Sequence, residues 1–282
     1  MAGWKRPEAS CQRFISGYSP SDVLQGALGD CYFLSALSVL GEDRTKEIFI
    51  SKEEEDFKVG AVLLKFKVND EDFFVIIDTM FPVNSDGKWA FASSEQSDEL
   101  WPTILEKAYA KLYGSYEAII GGRVHYALSD LTGGYPEELK TEKYVQNSKL
   151  FFDQLKDFKN KGFLLGCSSL AQVEGESKVS KSGIVQGHAY AILDLLMAQN
   201  EERLIKLRNP HGSRGIEWKG DWSDKSLKWT EELKKEVNLE VAEDGIFFMS
   251  FDDFLYEFKC VYICRLFDQK DWKKLEKIEV FY

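Results

Sequence analysis

A chain of 282 residues, 44% apolar and 14% aromatic, has enough nonpolar surface to bury a sizeable core as one large domain or two modest lobes, which excludes a disordered or collagen-like polymer. Its 36 Lys and Arg against 47 Asp and Glu leave a net charge of −11, so nucleic acid and anionic membrane are excluded as principal partners and cations are the expected company. Apolar runs such as 189–197, interrupted by Asp194, fall far short of the roughly 20 residues of a membrane span.

In chain order, Met1 to Ser10 carry Lys5 and Arg6 with no apolar run behind them, so no secretory signal is expected. A helix is predicted from Cys31 to Leu40, because Phe33, Leu34, Leu37 and Leu40 keep a helical period, with Asp30 as N-cap and Gly41 as stop. Two strands follow, Ala61 to Val68 and Phe73 to Asp78, joined by the polar turn Asn69 to Asp72. Leu100 to Leu112 reads as a second helix, with Pro102 in its first turn. Gly121-Gly122 marks a lobe boundary, giving lobes 1–122 and 123–267 and a charged tail 268–282. From about Ala127 strands with long loops are expected, plus one helix near Asn147 to Lys161. Gly187 to Leu195 and Glu202 to Arg208 form a hairpin about a turn at Gln199-Asn200, which makes His188 and Asn209 opposite or diagonal neighbours. Gly245 to Met249 and Phe258 to Leu266 complete the strands.

Five cysteines, an odd number at irregular spacing, fit reduced thiols of a cytoplasmic protein better than a disulfide framework. Cys260 and Cys264 lack the second pair that a zinc site needs. Cys31 stands out: a thiol in the first turn of a helix meets unpaired backbone N–H groups and the positive end of the macrodipole, both favouring thiolate. Acyl-transfer chemistry on such a thiol needs an oxyanion donor, a base and a group that orients the base. Gln25 precedes Cys31 by a Gly-containing loop. Of the three histidines, His188 is preferred over His125 and His211, because Gly187 lets a substrate backbone approach and Asn209 lies beside it.

The stretch Gln25-Gly26-Ala27-Leu28-Gly29-Asp30-Cys31-Tyr32-Phe33-Leu34 closely resembles the active-site segment of calpains, and Gly187-His188-Ala189-Tyr190 with Arg208-Asn209-Pro210 resembles their His and Asn segments. Trp4 to Pro7, Leu105 to Leu112, Gly114 to Ala118, Leu131 to Gly134, Glu217-Trp218, Trp222 to Asp224, Glu243 to Gly245 and Phe248 to Ser250 keep the register, so the resemblance runs from residue 4 to 267. It implies an α+β, papain-like two-lobe cysteine protease core, with a helical first lobe, an antiparallel-sheet second lobe and the cleft between them. It also implies Cys31 as nucleophile, His188 as general base then acid, Asn209 as its orienter and Gln25 as oxyanion donor. Gly122, Gly187 and His211 would face a protein or peptide substrate bound in extended form.

The same resemblance implies one calcium ion per lobe. In the first, Asp22 and Glu99 match the carboxylate ligands and Ile15 and Gly17 the carbonyl donors, an oxygen set suited to a hard cation. In the second, Glu217, Asp224 and Asp244 match, with the Ala242 carbonyl, while Ile246 replaces a ligating Glu. Tyr32 and His211 stand where the family has Trp, the loop from Gly212 to Glu217 is longer, and Pro20 occupies the place of an Arg that contacts the Glu lost at Ile246. The expectation is an intracellular, calcium-dependent cysteine endopeptidase with altered calcium coupling, and with regulatory domains or a subunit outside this chain. The alternative is a non-catalytic calcium-binding or scaffolding module on the same fold. A transglutaminase-like acyl transferase shares the Cys and His order but wants Asp where Asn209 stands.

Overall fold

The computed structural model describes residues 1–8, 10–13, 17–51, 57, 59–170, 179–198, 201–212 and 216–267. The expectations for Ile15, for the Gln199-Asn200 turn and for the 268–282 tail lie outside the described residues. Cys31–Leu40 forms the central helix α1, ten residues without a charge. A helix that is apolar all round must be covered on every side, and from Tyr32 to Leu40 only Val39 is not fully buried. Asp30 holds the N-cap position as expected, its carbonyl accepting Phe33 N–H and Leu34 N–H, but its side chain makes no capping hydrogen bond, because it is wholly buried and turned toward Glu106 instead.

Around α1 the first half is assembled from small pieces. β1 (Gly3–Lys5) pairs antiparallel with β4 (Phe81–Val83), and α2 (Glu42–Ile48) follows Gly41 directly. β2 (Ala61–Val68) and β3 (Glu71–Asp78) form a hairpin whose turn is two residues, not four. Asn69 and Asp70 both take positive φ, +52° and +67°, the geometry of a tight turn that matches strand twist. Glu71 and Asp72 are therefore in the strand, where Asp72 pairs with Lys67. α3 (Trp101–Tyr113) buries Trp101, Ile104, Leu105, Ala108 and Tyr109, a helical stripe, and stacks Tyr109 on Phe33 of α1 at 4.2 Å.

The region beyond Gly122 starts not with strands but with α4 (Val124–Thr132), closed by Gly133 at φ +75°. Val124, Tyr126 and Thr132 are β-branched or aromatic and disguise the helical period, yet Val124, Ala127, Leu128 and Leu131 are buried on one face against α1. The rest is a six-stranded antiparallel sheet in the order β5-β10-β6-β7-β8-β9: β5 (Tyr135–Lys140), β6 (Leu164–Ser169), β7 (Ala189–Met197), β8 (Arg203–Arg208), β9 (Ile246–Ser250) and β10 (Phe258–Arg265). α5 (Ser148–Asn160) buries Phe151, Phe152, Leu155 and Phe158 under the sheet, each side chain contributing about 1.5–3 kcal/mol. Two short helices, α6 (Glu231–Glu236) and α7 (Phe251–Glu257), flank it. The architecture is α+β, with one apolar core around α1 and another beneath the sheet. Among the described residues no helix is long and apolar enough to cross a membrane. All five cysteines are free.

Candidate active site

Cys31 opens α1, and its half-buried thiol faces the backbone N–H of Ala189, the first residue of β7. The N–H groups of Ala189, Tyr32 and Cys31 itself all favour thiolate, as the helix-terminus argument requires. Burial and the neighbouring Asp30 charge outweigh them, and the thiol is pushed up to about 11. The helix N-terminus alone does not ionise Cys31.

His188 stands one residue before β7, after Gly187 at φ +63°. Its backbone is clamped on both sides by Ser169: His188 N–H donates to Ser169 Oγ at 3.1 Å, and Ser169 N–H donates to His188 O at 3.0 Å. The hairpin register pairs Ala191 with Arg208 and Ile192 with Leu207, which makes His188 and Asn209 diagonal neighbours, one of the two arrangements the sequence allows. His188 Nε2 meets Asn209 Oδ1 at 2.9 Å. The amide orientation is fixed from both ends, because Asn209 Nδ2 donates to Ile216 O at 3.1 Å and Oδ1 accepts from His211 N–H at 3.1 Å. Oδ1 therefore takes the Nε2 hydrogen, and in the neutral ring Nδ1 is left as the proton acceptor. Burial, with the His211 charge in support, pulls the His188 imidazole down to about 3, while Asn209 works the other way. Taken singly, thiol and imidazole are each held neutral.

Gln25 is buried, and its Nε2 donates to Leu28 O at 2.7 Å, folding the loop ahead of α1 onto itself. Its backbone N–H donates to Pro210 O at 2.8 Å, so the loop before Cys31 is tied directly to the residue after Asn209. Gly122 and Gly187 are both exposed at the surface. A Cβ at Gly122 would come within 2.5 Å of the Tyr32 ring, so the absence of a side chain there is a steric requirement. His211 lies flat on His188, with centroids 4.3 Å apart and 22° between planes.

Two buried groups near Cys31 went unnoticed in the sequence. Arg208, fully buried at the end of β8, sends Nη1 to Ser38 Oγ of α1 at 3.0 Å and Nη2 to Ser21 O and Val23 O at 3.0 and 2.5 Å. The strand that delivers Asn209 is thereby bolted to the helix that carries Cys31. Asp30 and Glu106 form a buried acid pair in which burial raises both carboxyls, and Glu106 Oε1 also accepts Ala92 N–H at 2.8 Å. Neither carried a local signal: β8 also holds Arg203 and Lys206, so Arg208 is one cation of three in the strand, and Glu106 looks like any helix-surface glutamate.

Among the described residues no three His, Cys, Asp or Glu side chains converge closely enough to count as a formed metal site. The expected carboxylates are nonetheless grouped. Asp22 is buried, accepts Ser19 N–H, and is raised to about 6 by burial with the charges of Glu99 and Glu95. Glu99 is fully buried and accepts Ser94 Oγ at 2.7 Å, and Gly17 turns at φ +90° nearby in the chain. In the other half, burial raises Glu217 to about 7, with the charges of Asp224, Asp244 and Glu243 adding to it, and raises Asp224 to about 6, with the charge of Asp244 adding to it. Glu217 accepts Gly245 N–H, Asp224 accepts Ala242 N–H, and Asp244 accepts Ile246 N–H. Asp224 Oδ1 is buried without a hydrogen-bond partner. An orphaned carboxylate oxygen among acids that repel one another is what a hard cation relieves, so this donor set fits calcium.

Comparison with known proteins gives a consistent picture. Residues 1–265 match the family model described as calpain family cysteine protease. The chain is 43% identical to the calpain-type cysteine protease DEK1 of Zea mays over 95% of this chain and 13% of that protein. It is 37% identical to the calpain-1 catalytic subunit of Rattus norvegicus over 93% of this chain and 38% of that protein, and 36% identical to calpain-B of Drosophila melanogaster over 93% and 30%. The chain thus spans well under half the length of these relatives.

Proposed function

Because this chain belongs to the calpain family of cysteine proteases, we propose that it hydrolyses peptide bonds of extended protein segments through Cys31, His188 and Asn209, inside the cell and under calcium control. The observation that carries the reading is Asn209 Oδ1 at His188 Nε2, 2.9 Å away, which presents Nδ1 as the base. Nδ1 takes the Cys31 proton as the sulfur attacks the scissile carbonyl carbon. The oxyanion that forms faces the Cys31 backbone N–H and the Gln25 carboxamide. His188 then returns the proton to the departing amine, leaving a thioester. A water that gives its proton to His188 attacks the thioester, and collapse releases the acid and restores the thiol. Gly122 and Gly187, both exposed, would leave room for a substrate backbone in β conformation.

Asp22 and Glu99, with Gly17 and Ile15, would hold calcium in the first lobe, and Glu217, Asp224 and Asp244, with Ala242, in the second. Bound there, calcium supplies the positive charge that lets these acids ionise together. Both groups sit close to the machinery by covalent or hydrogen-bonded steps: Asp22 lies between the two carbonyls held by Arg208, and Gly245, the partner of Glu217, accepts Asn209 N–H through its carbonyl. Five free thiols favour a reducing compartment such as the cytoplasm. Further domains in the whole protein would add substrate choice and regulation.

A calcium titration of hydrolysis of a quenched fluorescent peptide tests both halves. Activity that rises with calcium, vanishes in chelator and is absent in Cys31→Ala is expected. Full activity in chelator would remove the calcium claim and keep the protease; turnover by Cys31→Ala would remove the protease claim. The non-catalytic alternative predicts no turnover at any calcium level and no modification of Cys31 by a thiol-directed epoxide.

A further inference from the structure

His211 takes no part in the acyl-transfer steps, yet its ring covers a face of His188. A local constraint holds it there: the backbone N–H of His211 donates to Asn209 Oδ1 at 3.1 Å, the same oxygen that faces His188 Nε2. Among the described residues the rest of the surroundings offer little charge. Tyr190 of β7 meets His188 edge-on at 5.1 Å and spends its hydroxyl accepting Val185 N–H. Leu24 packs on Gly212, the guanidinium of Arg208 is turned away toward Ser38, Ser21 and Val23, and the Glu217 carboxylate is engaged by Gly245 N–H. Cys31 at the head of α1 faces the N–H of Ala189, the residue after His188. Among the described residues the charge acting on His188 is that of His211.

We propose that His211 is a positioning residue that sets the acid limit of the protease: the thiolate–imidazolium pair forms only while His211 is neutral. The inference rests on the reading of Cys31, His188 and Asn209 as the catalytic triad. Stacked imidazoles cannot both carry a proton cheaply in a low-dielectric cleft. A neutral His211 presents its π face to the imidazolium of His188 and supports it. A protonated His211 places a second positive charge against it, so His188 cannot take the Cys31 proton. The stacked pair gains its protons in coupled steps as pH falls. Thiolate should therefore disappear at a higher pH than that at which an isolated thiolate–imidazolium pair would lose its charge.

The test is the rate of Cys31 alkylation by iodoacetamide across pH 4 to 9, for the unmodified chain, His211→Phe, which keeps a ring without a proton, and His211→Gln, which keeps polarity without a ring. Peptide mass mapping isolates the signal of Cys31 from the other thiols. The acid midpoint is expected to move down by about one unit in both variants, giving roughly tenfold faster alkylation on the acid limb of the profile. A midpoint unchanged in the folded variants overturns the proposal, as does one that moves in His211→Gln alone, since loss of the ring and not of the charge would then be the cause. His188→Ala separates the two levels. If its curve matches that of the unmodified chain, the triad reading falls and the proposal with it. If it loses the acid-side reactivity while the His211 variants keep the original midpoint, the triad stands and the role of His211 alone is refuted.

Discussion

Replacing Arg208 by Met keeps most of the buried stem and removes the guanidinium that joins β8 to α1 and to the 21–23 segment. Three hydrogen bonds from a charged donor are lost, to Ser38 Oγ, Ser21 O and Val23 O. Each orphaned buried acceptor costs about 1–3 kcal/mol. Against this stands the relief from desolving a guanidinium, whose burial already pulls it down to about 10. A net loss of about 3–5 kcal/mol is expected, a large share of the about 5–15 kcal/mol by which domains are stable. Urea unfolding followed by tryptophan fluorescence measures it, with an unchanged m-value as the check that the folded state is still compact. Arg208→Lys, which keeps the charge but not the planar fork, should fall between the two. Because the guanidinium connects the Asn209 strand to the Cys31 helix, kcat of any Arg208→Met that remains folded should drop more than KM rises. A loss of under about 1 kcal/mol with unchanged kcat would refute the reasoning.

Glu106→Gln supplies a permanent donor where the acid pair needs a shared proton. Burial raises both carboxyls, so the folded chain holds a proton that the unfolded chain releases near pH 4; the contribution to stability is present at low pH and lost as pH rises through the pair's raised range. The fall of unfolding free energy between about pH 5 and pH 8 should be shallower in Glu106→Gln; an identical slope shows the pair is not its source. Gly122→Ala drives a methyl into the Tyr32 ring and should cost about 1–3 kcal/mol, recovered in part by a second change, Tyr32→Ala, in thermal denaturation. No recovery would mean the strain lies elsewhere. Asn209→Ala leaves His188 free to turn and to change tautomer, and kcat should fall at least tenfold with little change in KM; retention of kcat would show another orienter. Asp224→Asn removes a charge from the second acidic group and should weaken calcium binding seen by calorimetry; unchanged heats would place the ion elsewhere.

What could be read in advance was whatever has a short-range signature. The ten uncharged residues of α1, the paired strands of the β2–β3 and β7–β8 hairpins, and the stripe of α3 all announce themselves through periodicity, and the diagonal relation of His188 to Asn209 follows from counting along one hairpin. Helix α4 was hidden because Val124 and Tyr126 have strand-like chemistry and only packing on α1 selects the helix. Asp30 misled in the same way: the local rule for helix caps applies to an exposed Asx, whereas the fold buries this one against a residue 76 positions away. Pairings of that range, Arg208 with Ser38 among them, are made by tertiary structure and leave no mark in a local window.

The dipeptide Asn209-Pro210 has a consequence for the lifetime of the protein. Asparagine ages in water when the nitrogen of the next peptide bond attacks the side-chain carbonyl and closes a succinimide, which then opens to aspartate or isoaspartate. Pro210 has no N–H to make that attack, and the carboxamide is fully buried with its Nδ2 and Oδ1 both engaged. A small residue at 210 would expose the site to spontaneous conversion equivalent to Asn209→Asp, setting a fixed anion against His188 and turning a tuned base into a permanently charged one. The proline thus guards the chemistry of its neighbour over days, a timescale on which neither folding stability nor turnover exerts any control.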